Sequence, residues 1–528
     1  MALHAPGFWR RFAGRVKIAY LYSRFPVVSQ TFCLTEMLAL ERQGVSLSVA
    51  SIHPPSSSLR HGAQADLKAN IVYAPPQPVL KIWEEAAKAE KRWPAALVKR
   101  HDEAYGPECK SRLRARNALY FADRFARGGI DHFHVHFANR AGHTAIFLKK
   151  LSGIPFSITA HAQDFQVQLG SNHALLREMC SEAKFVVAVS EYSRKLLAAI
   201  CPEARICHVY NGIDLGRFGA PGSPNAVPKI LSVGRLLEMK GFRVLLAACA
   251  LLKKRATPFE CEIVGEGPMR AALEEQIARE DLGGEVRLAG VLSQEEVARR
   301  LSACDVFALA CVEEADGACD VLPTVILEAM AAAKPVVSTR LAGIPEMVEH
   351  GENGFLAQPG DAGELADALA VLFGDADLRR RQGEAGRRKA ERVFRVEETS
   401  ARLKALFDKH AGSPLTLLEC WPCAFPETKG RVIACKPAEP PGAAARRTVR
   451  EIDFLPDPVV LEAEWREEKE WAARIEGWRA EFGAEPDAYR EAALYALWLR
   501  KESFSHLHAV GSMALLAARI LGKMKEGA

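Results

Sequence analysis

Residues 320–337, DVLPTVILEAMAAAKPVV, decide how this chain is read. An acid, Asp320, stands three residues before Pro323, and a second acid, Glu328, falls one turn into an apolar run. Proline suits the first position of a helix, where its missing N–H would be unpaired in any case. The N–H groups of Thr324 and Val325 then point out of the helix start, where the dipole favours an anion. Glu328 follows Thr324 by four residues, so the two share a face, and helical side chains lean toward the N-terminus. The pattern suits a phosphate held by backbone amides with a hydroxyl-rich group beside it. An ordinary buried helix with Glu328 as a capping acid would look the same in this segment alone.

The upstream sequence favours the first reading. Residues 229–241, KILSVGRLLEMKG, read as a short apolar strand, a glycine turn, then Arg235 and Lys240. Residues 260–270, ECEIVGEGPMR, read as a second strand entering a helix through a turn with Gly265 and Gly267. Two cations beside a helix N-terminus would suit a diphosphate clamp, and a solvated helix start is the plainer alternative for Arg235 and Lys240. Fixed cations neutralise a departing diphosphate without reorganising.

Together with VYNGIDLGRF (209–218) and GIPEMVEHGENGFL (343–356), these strings resemble the C-terminal half of retaining GT-B glycosyltransferases of family 4. The resemblance spans about 229–395. It implies a nucleoside diphosphate sugar as donor, with Arg235, Lys240, Gly267, Thr324, Val325 and Glu328 on the donor side. Glu328 would hold the ribose and Asp320 would lie near the sugar. Two departures stand out: Asp320 where most of the family has Glu, and Val321 where glycine is usual. A shorter acid reaches less far, and valine restricts the backbone more than glycine.

The N-terminal half alternates short apolar strands with helical segments, which argues for a parallel α/β sheet. The strings are RVKIAYLYSRFPVVSQTF (15–32), SLSVASI (46–52), HFHVHFA (132–138), FSITAHAQDF (156–165) and FVVAVSEYSRKLL (185–197). Ligands in such sheets sit beyond the carboxyl ends of strands. Ser29, Thr31, His136, His161 and Asp164 occupy such positions. This half resembles bacterial exopolysaccharide glycosyltransferases of the colanic-acid type, through SRFP-x-x-S-x-TF and TAH-x-x-D. The resemblance makes His161 a catalytic candidate with Asp320 and Glu328, and places Ser29, Thr31 and Asp164 on the acceptor side. His132, His134 and His136 alternate along one strand face, but neither a cysteine nor a suitably placed acid completes a metal set. No metal and no resident cofactor are expected.

The whole is expected to be an α/β GT-B protein: two Rossmann-like domains facing a cleft, plus a mainly helical extension. The boundaries are a basic leader at 1–14, domains at 15–220 and 228–395, a return helix at 396–411, and an extension at 412–528. Residues 220–228, APGSPNAVP, form the linker. In the extension, CWPC (420–423) lacks the further ligands of a zinc site. Its ALYALWLRKESFSHLH (493–508) echoes ALYFADRFARGGIDHFH (118–134), so a degenerate partial repeat of the N-terminal domain is one reading and chance similarity another.

The 13 scattered cysteines suit a reducing cytosol. A net charge of +5 suits a lipid-phosphate surface at the inner face of the membrane. No apolar run is long enough to span a bilayer, and no nucleic-acid module accompanies the charge. The expected acceptor is a glycan, or one linked to a polyprenyl lipid. A nucleotide-sugar epimerase and an inactive GT-B scaffold are the competing readings.

Overall fold

The computed structural model describes residues 16–410, apart from 28–29, 57–61, 166–172, 220–221 and 223, together with the backbone of 414–418, 431–434, 451–454 and 506–510. The basic leader, Ser29 and the CWPC segment lie outside the described residues.

Seven parallel strands form the first sheet: β1 (Lys17–Arg24), β2 (Ser46–His53), β3 (Asn70–Tyr73), β4 (His132–His136), β5 (Phe156–Ala160), β6 (Val186–Ala188) and β7 (Ile206–His208). Their order is β3-β2-β1-β4-β5-β6-β7. Six more form the second: β8 (Lys229–Val233), β9 (Glu260–Val264), β10 (Val286–Gly290), β11 (Val306–Ala308), β12 (Val336–Thr339) and β13 (Gly354–Ala357). Their order is β10-β9-β8-β11-β12-β13. The central strands β4 and β5 are buried at every residue, as in a parallel sheet covered on both faces, although β4 carries His132, His134 and His136. Strand order reverses at β1/β4 and at β8/β11. A crevice opens at such a reversal, beyond the strands' carboxyl ends, because the flanking crossovers leave in opposite directions.

The chain returns to its first domain. The helix Val396–His410 packs on the helix Thr31–Arg42, and its Leu403 and Phe407 are buried in one cluster with Tyr20 and Phe185. The crossing is tied by the Ile213 N–H donating to the Phe394 carbonyl at 2.8 Å and the Val396 N–H to that of Ile213 at 3.1 Å. A carboxylate from the second domain also caps a helix of the first. Glu346 accepts from the N–H groups of Glu191 and Tyr192 at 2.8 and 2.9 Å and from the Tyr210 hydroxyl at 2.9 Å. The helix Glu191–Ile200 starts there, and its free N–H groups and dipole favour an acid. Glu346 belongs to the GIPE string, whose role the sequence reading left open.

The extension was expected to be mainly helical, yet its described residues are strands: β14 (Pro414–Leu418), β15 (Arg431–Ala434), β16 (Glu451–Phe454) and β17 (His506–Val510). All pair in parallel in the order β16-β15-β14-β17. Strands of four or five residues, set in Pro-rich and charged surroundings, leave no clear period in the sequence. The helical segment read between 457 and 505 lies outside the described residues.

Candidate active site

A cavity of about 800 Å³ lies between the two sheets, at both strand-order reversals. The second domain contributes Gly234, Arg235 and Lys240 after β8, Gly265 and Glu266 after β9, and Asp320, Thr324, Val325 and Glu328 after β11. The first contributes Gln30, Thr31 and Phe32 after β1, Phe137 after β4 and His161 after β5.

The helix Thr324–Ala331 starts one residue later than expected, with Pro323 at its N-cap rather than at the first helical position. The first N–H groups of a helix have no partner within it, and these border the cavity. Lys240 forms an ion pair with Asp320. Burial works against the Lys240 charge, but Asp320 and Cys311 together more than offset it, so its pKa rises. Glu328 is only 6% exposed. Burial pushes its carboxyl up to about 7, against the pull of Arg217. Val321 is buried and is not among the residues with positive φ, so the backbone here accepts valine without the freedom of glycine. The structural concern over that departure therefore falls away.

Gly267 and Asp164, expected at the site, do not border the cavity. Gly267 packs against the β8 turn: a Cβ there would meet the Leu236 carbonyl oxygen at 2.5 Å. Gly265 does border it, and a Cβ there would lie 1.8 Å from the Gly234 oxygen at a φ of +147°. Only glycine fits either place, and sequence alone does not say which faces a ligand. Asp164, expected on the acceptor side, sits beneath His161 instead. Its Oδ2 accepts the His161 N–H at 2.8 Å, and its own N–H donates to the His161 carbonyl at 2.8 Å. Burial raises its carboxyl to about 7.

Phe137 holds a φ of 72°, unusual for a bulky residue, and its ring lies 4.3 Å from that of His161 between centroids. Phe32 flanks the same imidazole at 5.0 Å. His136 is buried behind His161 and does not reach the cavity. Glu36, His134 and His136 stand close enough to hold a metal ion. Both His134 nitrogens are already engaged, by the Ser157 and Thr159 hydroxyls at 2.7 and 2.9 Å, so the trio offers no free ligand set. Sequence reading missed Gln30, Phe32, Phe137 and Asn211 on the walls, and Arg217 facing Glu328. Asn211 and Arg217 sit in the quoted VYNGIDLGRF string, so a signal existed. Phe32 likewise closes the quoted SRFP-x-x-S-x-TF string, whereas Gln30 and Phe137 carry no charge pattern.

Two parallel-sheet domains, a cleft at their switch points and two cations beside a helix start define the GT-B class of protein. Comparison with known sequences agrees: residues 30–217 match Glycosyltransferase Family 4, and 218–389 match Glycosyl transferases group 1. The chain belongs to this glycosyltransferase family. It is similar to the amylovoran biosynthesis glycosyltransferase AmsK of Erwinia amylovora, with 31% identity over 380 residues, 69% of this chain and 92% of that protein. It is 30% identical over 375 residues to WcaL of Escherichia coli (strain K12), which its name assigns provisionally to colanic acid biosynthesis; the match spans 68% of this chain and 90% of WcaL. Among solved structures, Anabaena Alr3699/HepE in complex with UDP and glucose shares the fold, with a TM-score of 0.57 at 19% identity, covering 74% of this chain and 99% of that one.

Proposed function

We propose that this protein transfers a sugar, with retention, from a nucleoside diphosphate sugar to a glycan or lipid-linked acceptor in exopolysaccharide or cell-surface glycan synthesis. The observation that carries the reading is the convergence of Arg235, Lys240 and the Thr324–Val325 helix start on one wall of the cavity, with His161 on the domain opposite. AmsK supports the biosynthetic setting by its name, and HepE supports a nucleotide donor by its bound UDP.

In this reading the diphosphate lies against the helix start, and Arg235 and Lys240 meet the charge that develops as the glycosyl bond breaks. Protein cations supply that charge, so no metal is required. Glu328 holds the ribose. Asp320 and His161 orient the sugar from opposite domains, and Thr31 borders the acceptor side. Burial between the domains excludes water, so the acceptor hydroxyl competes better than hydrolysis. The chemistry takes place in the cytoplasm, at the inner membrane face where a polyprenyl-linked acceptor would be met. Among the described residues no helix is long and apolar enough to cross a membrane.

A thermal-shift titration with UDP, GDP, ADP and their common sugars tests this. A ligand at 100 times its Kd stabilises the folded state by about 2.7 kcal/mol, which raises Tm by several degrees. One diphosphate is expected to stand out, and its sugar to be transferred to a lipid-linked glycan in a follow-up assay. Consumption of the nucleotide sugar without an acceptor would favour an epimerase. No shift with any nucleotide would overturn the donor site.

A further inference from the structure

A hydrogen-bonded chain runs from the cleft into the first domain. His161 Nε2 lies 3.1 Å from His136 Nδ1, and His136 Nε2 lies 3.0 Å from Glu36 Oε1. The same oxygen accepts the Tyr20 hydroxyl at 2.6 Å. Glu36 is carried by the helix Thr31–Arg42, whose first residues wall the cavity. A carboxylate is acceptor-only, so the His136 nitrogen facing Glu36 carries a proton. The other groups facing His136 are Tyr20 and Tyr22 from β1, Cys33 from the same helix, His134 from its own strand, and Asp164 beyond His161.

We propose that Glu36 and His136 are positioning residues that hold His161 neutral, with its proton on Nδ1, as a hydrogen-bond donor to the sugar or its departing phosphate. This rests on the transferase reading above. His136 donates from both nitrogens: to Glu36 through Nε2 and to His161 through Nδ1. His161 Nε2 is thereby an acceptor only, and Nδ1 keeps the hydrogen. Burial disfavours charge on His136, but Cys33 and Glu36 together raise its pKa to about 10. Burial and the neighbouring His136 charge both hold His161 well below the usual histidine range. Because the His136 pKa is raised, the arrangement persists below it and is lost as pH rises through about 10.

Glu36→Gln removes the charge and keeps the shape. With a nucleotide sugar that the wild type transfers, kcat is expected to fall about tenfold or more while donor KM holds. The basic limb of the kcat profile should move to lower pH, and Glu36→Asp should recover part of the rate. A purely structural role would not move the limb, so an unmoved limb with unchanged kcat overturns the proposal. Histidine 15N spectra test the tautomer even if no transfer is found, which separates this inference from the function. Wild-type His161 should carry its proton on Nδ1 near neutral pH, and Glu36→Gln should lower that population. Protonation at Nε2 in the wild type would refute it.

The extension supports a second, independent inference. Its strand order, β16-β15-β14-β17, repeats β3-β2-β1-β4. Sequence and register agree on the correspondence. Residues 70–80, NIVYAPPQPVL, align without a gap to 451–461, EIDFLPDPVVL, matching Ile71, Pro75, Val79 and Leu80 to Ile452, Pro456, Val460 and Leu461. Leu21, Phe25 and Pro26 match Leu417, Trp421 and Pro422 at one constant offset. Those offsets carry Ile18 to Pro414 and Ile71 to Ile452, and the residues paired with them correspond, since His132 and His506 each open an H-x-H string and Val49 and Val432 are both valine. Ile18 pairs with His132 and Pro414 with His506, while Val49 pairs with Ile71 and Val432 with Ile452. A one-residue slip anywhere would break the agreement.

We infer that residues 414–528 contain a second copy of the first four strands of the N-terminal domain, the part whose loops wall the cleft opposite the donor. Amide hydrogen exchange on the full chain tests it. Leu80 is fully buried in the first copy, so Leu461→Asp should release protection at 431–434 and 506–510 together while 17–24 and 132–136 stay protected. Unprotected exchange at 506–510 in the wild type, or no response there to Leu461→Asp, would overturn the inference.

Discussion

Replacing Lys240 with alanine is expected to weaken nucleoside diphosphate binding by about 10- to 100-fold, the loss of one hydrogen bond between charged groups. Isothermal titration with the diphosphate that shifts the wild type measures it. The same change should destabilise the ligand-free protein. Lys240 and Asp320 are paired with side chains 14% and 20% exposed. Breaking a fully buried pair costs about 3–5 kcal/mol, and this one retains some solvent, so about 1–3 kcal/mol is expected. Asp320→Asn separates the two effects. It frees the ammonium from its carboxylate, so diphosphate should bind as tightly or more tightly, while transfer falls because the sugar's hydroxyls lose a charged acceptor to a neutral amide. An unchanged affinity in Lys240→Ala would place the diphosphate elsewhere.

Glu328→Gln is expected to raise Tm at pH 8 and to raise it far less at pH 5, while weakening nucleotide binding at both. Burial raises the carboxyl of Glu328 to about 7 from an ordinary value of 4.5. Between those values the folded state keeps a proton that the unfolded state has released. Stability therefore falls as pH rises through that window. The full displacement is worth about 3 kcal/mol as an upper bound. Glutamine has the same shape without the charge, so it escapes the penalty above pH 7. The group is thus held at a cost to folding, as expected of an acid placed for a ligand rather than for the core. Thermal melts at the two pH values, with and without nucleotide, check both halves. A variant with the wild-type pH dependence would show that Glu328 is charged in the fold without penalty.

The donor wall was legible because its chemistry is local. Arg235 and Lys240 closely follow β8, Gly265 directly follows β9, and the turn chemistry, the helix start and the i,i+4 relation of Thr324 to Glu328 all lie within short windows. The opposite wall was legible only in part: Thr31, Phe32 and His161 stood in the quoted motifs, but Gln30 and Phe137 carry neither charge nor period to mark them. Asp164 shows the limit within a single motif. Its spacing in TAH-x-x-D placed it near the cleft, but the tight turn after His161 directs it to that residue's own N–H. Gly265 and Gly267 are equivalent as letters; only the approach of the β8 turn to each separates a lining residue from a packing one.

The sequence by itself determined that this chain makes two parallel α/β domains with an anion-binding helix start and two cations on one of them. Those properties follow from spacing along the chain and from the preferences of individual residues. Only the tertiary structure decided which groups meet. Glu36 and His136 are 100 residues apart, and Lys240 and Asp320 are 80. Whether a carboxylate or an imidazole is charged depends on the solvent it loses and the partner it gains. Both are set by what packs opposite, which no local pattern encodes.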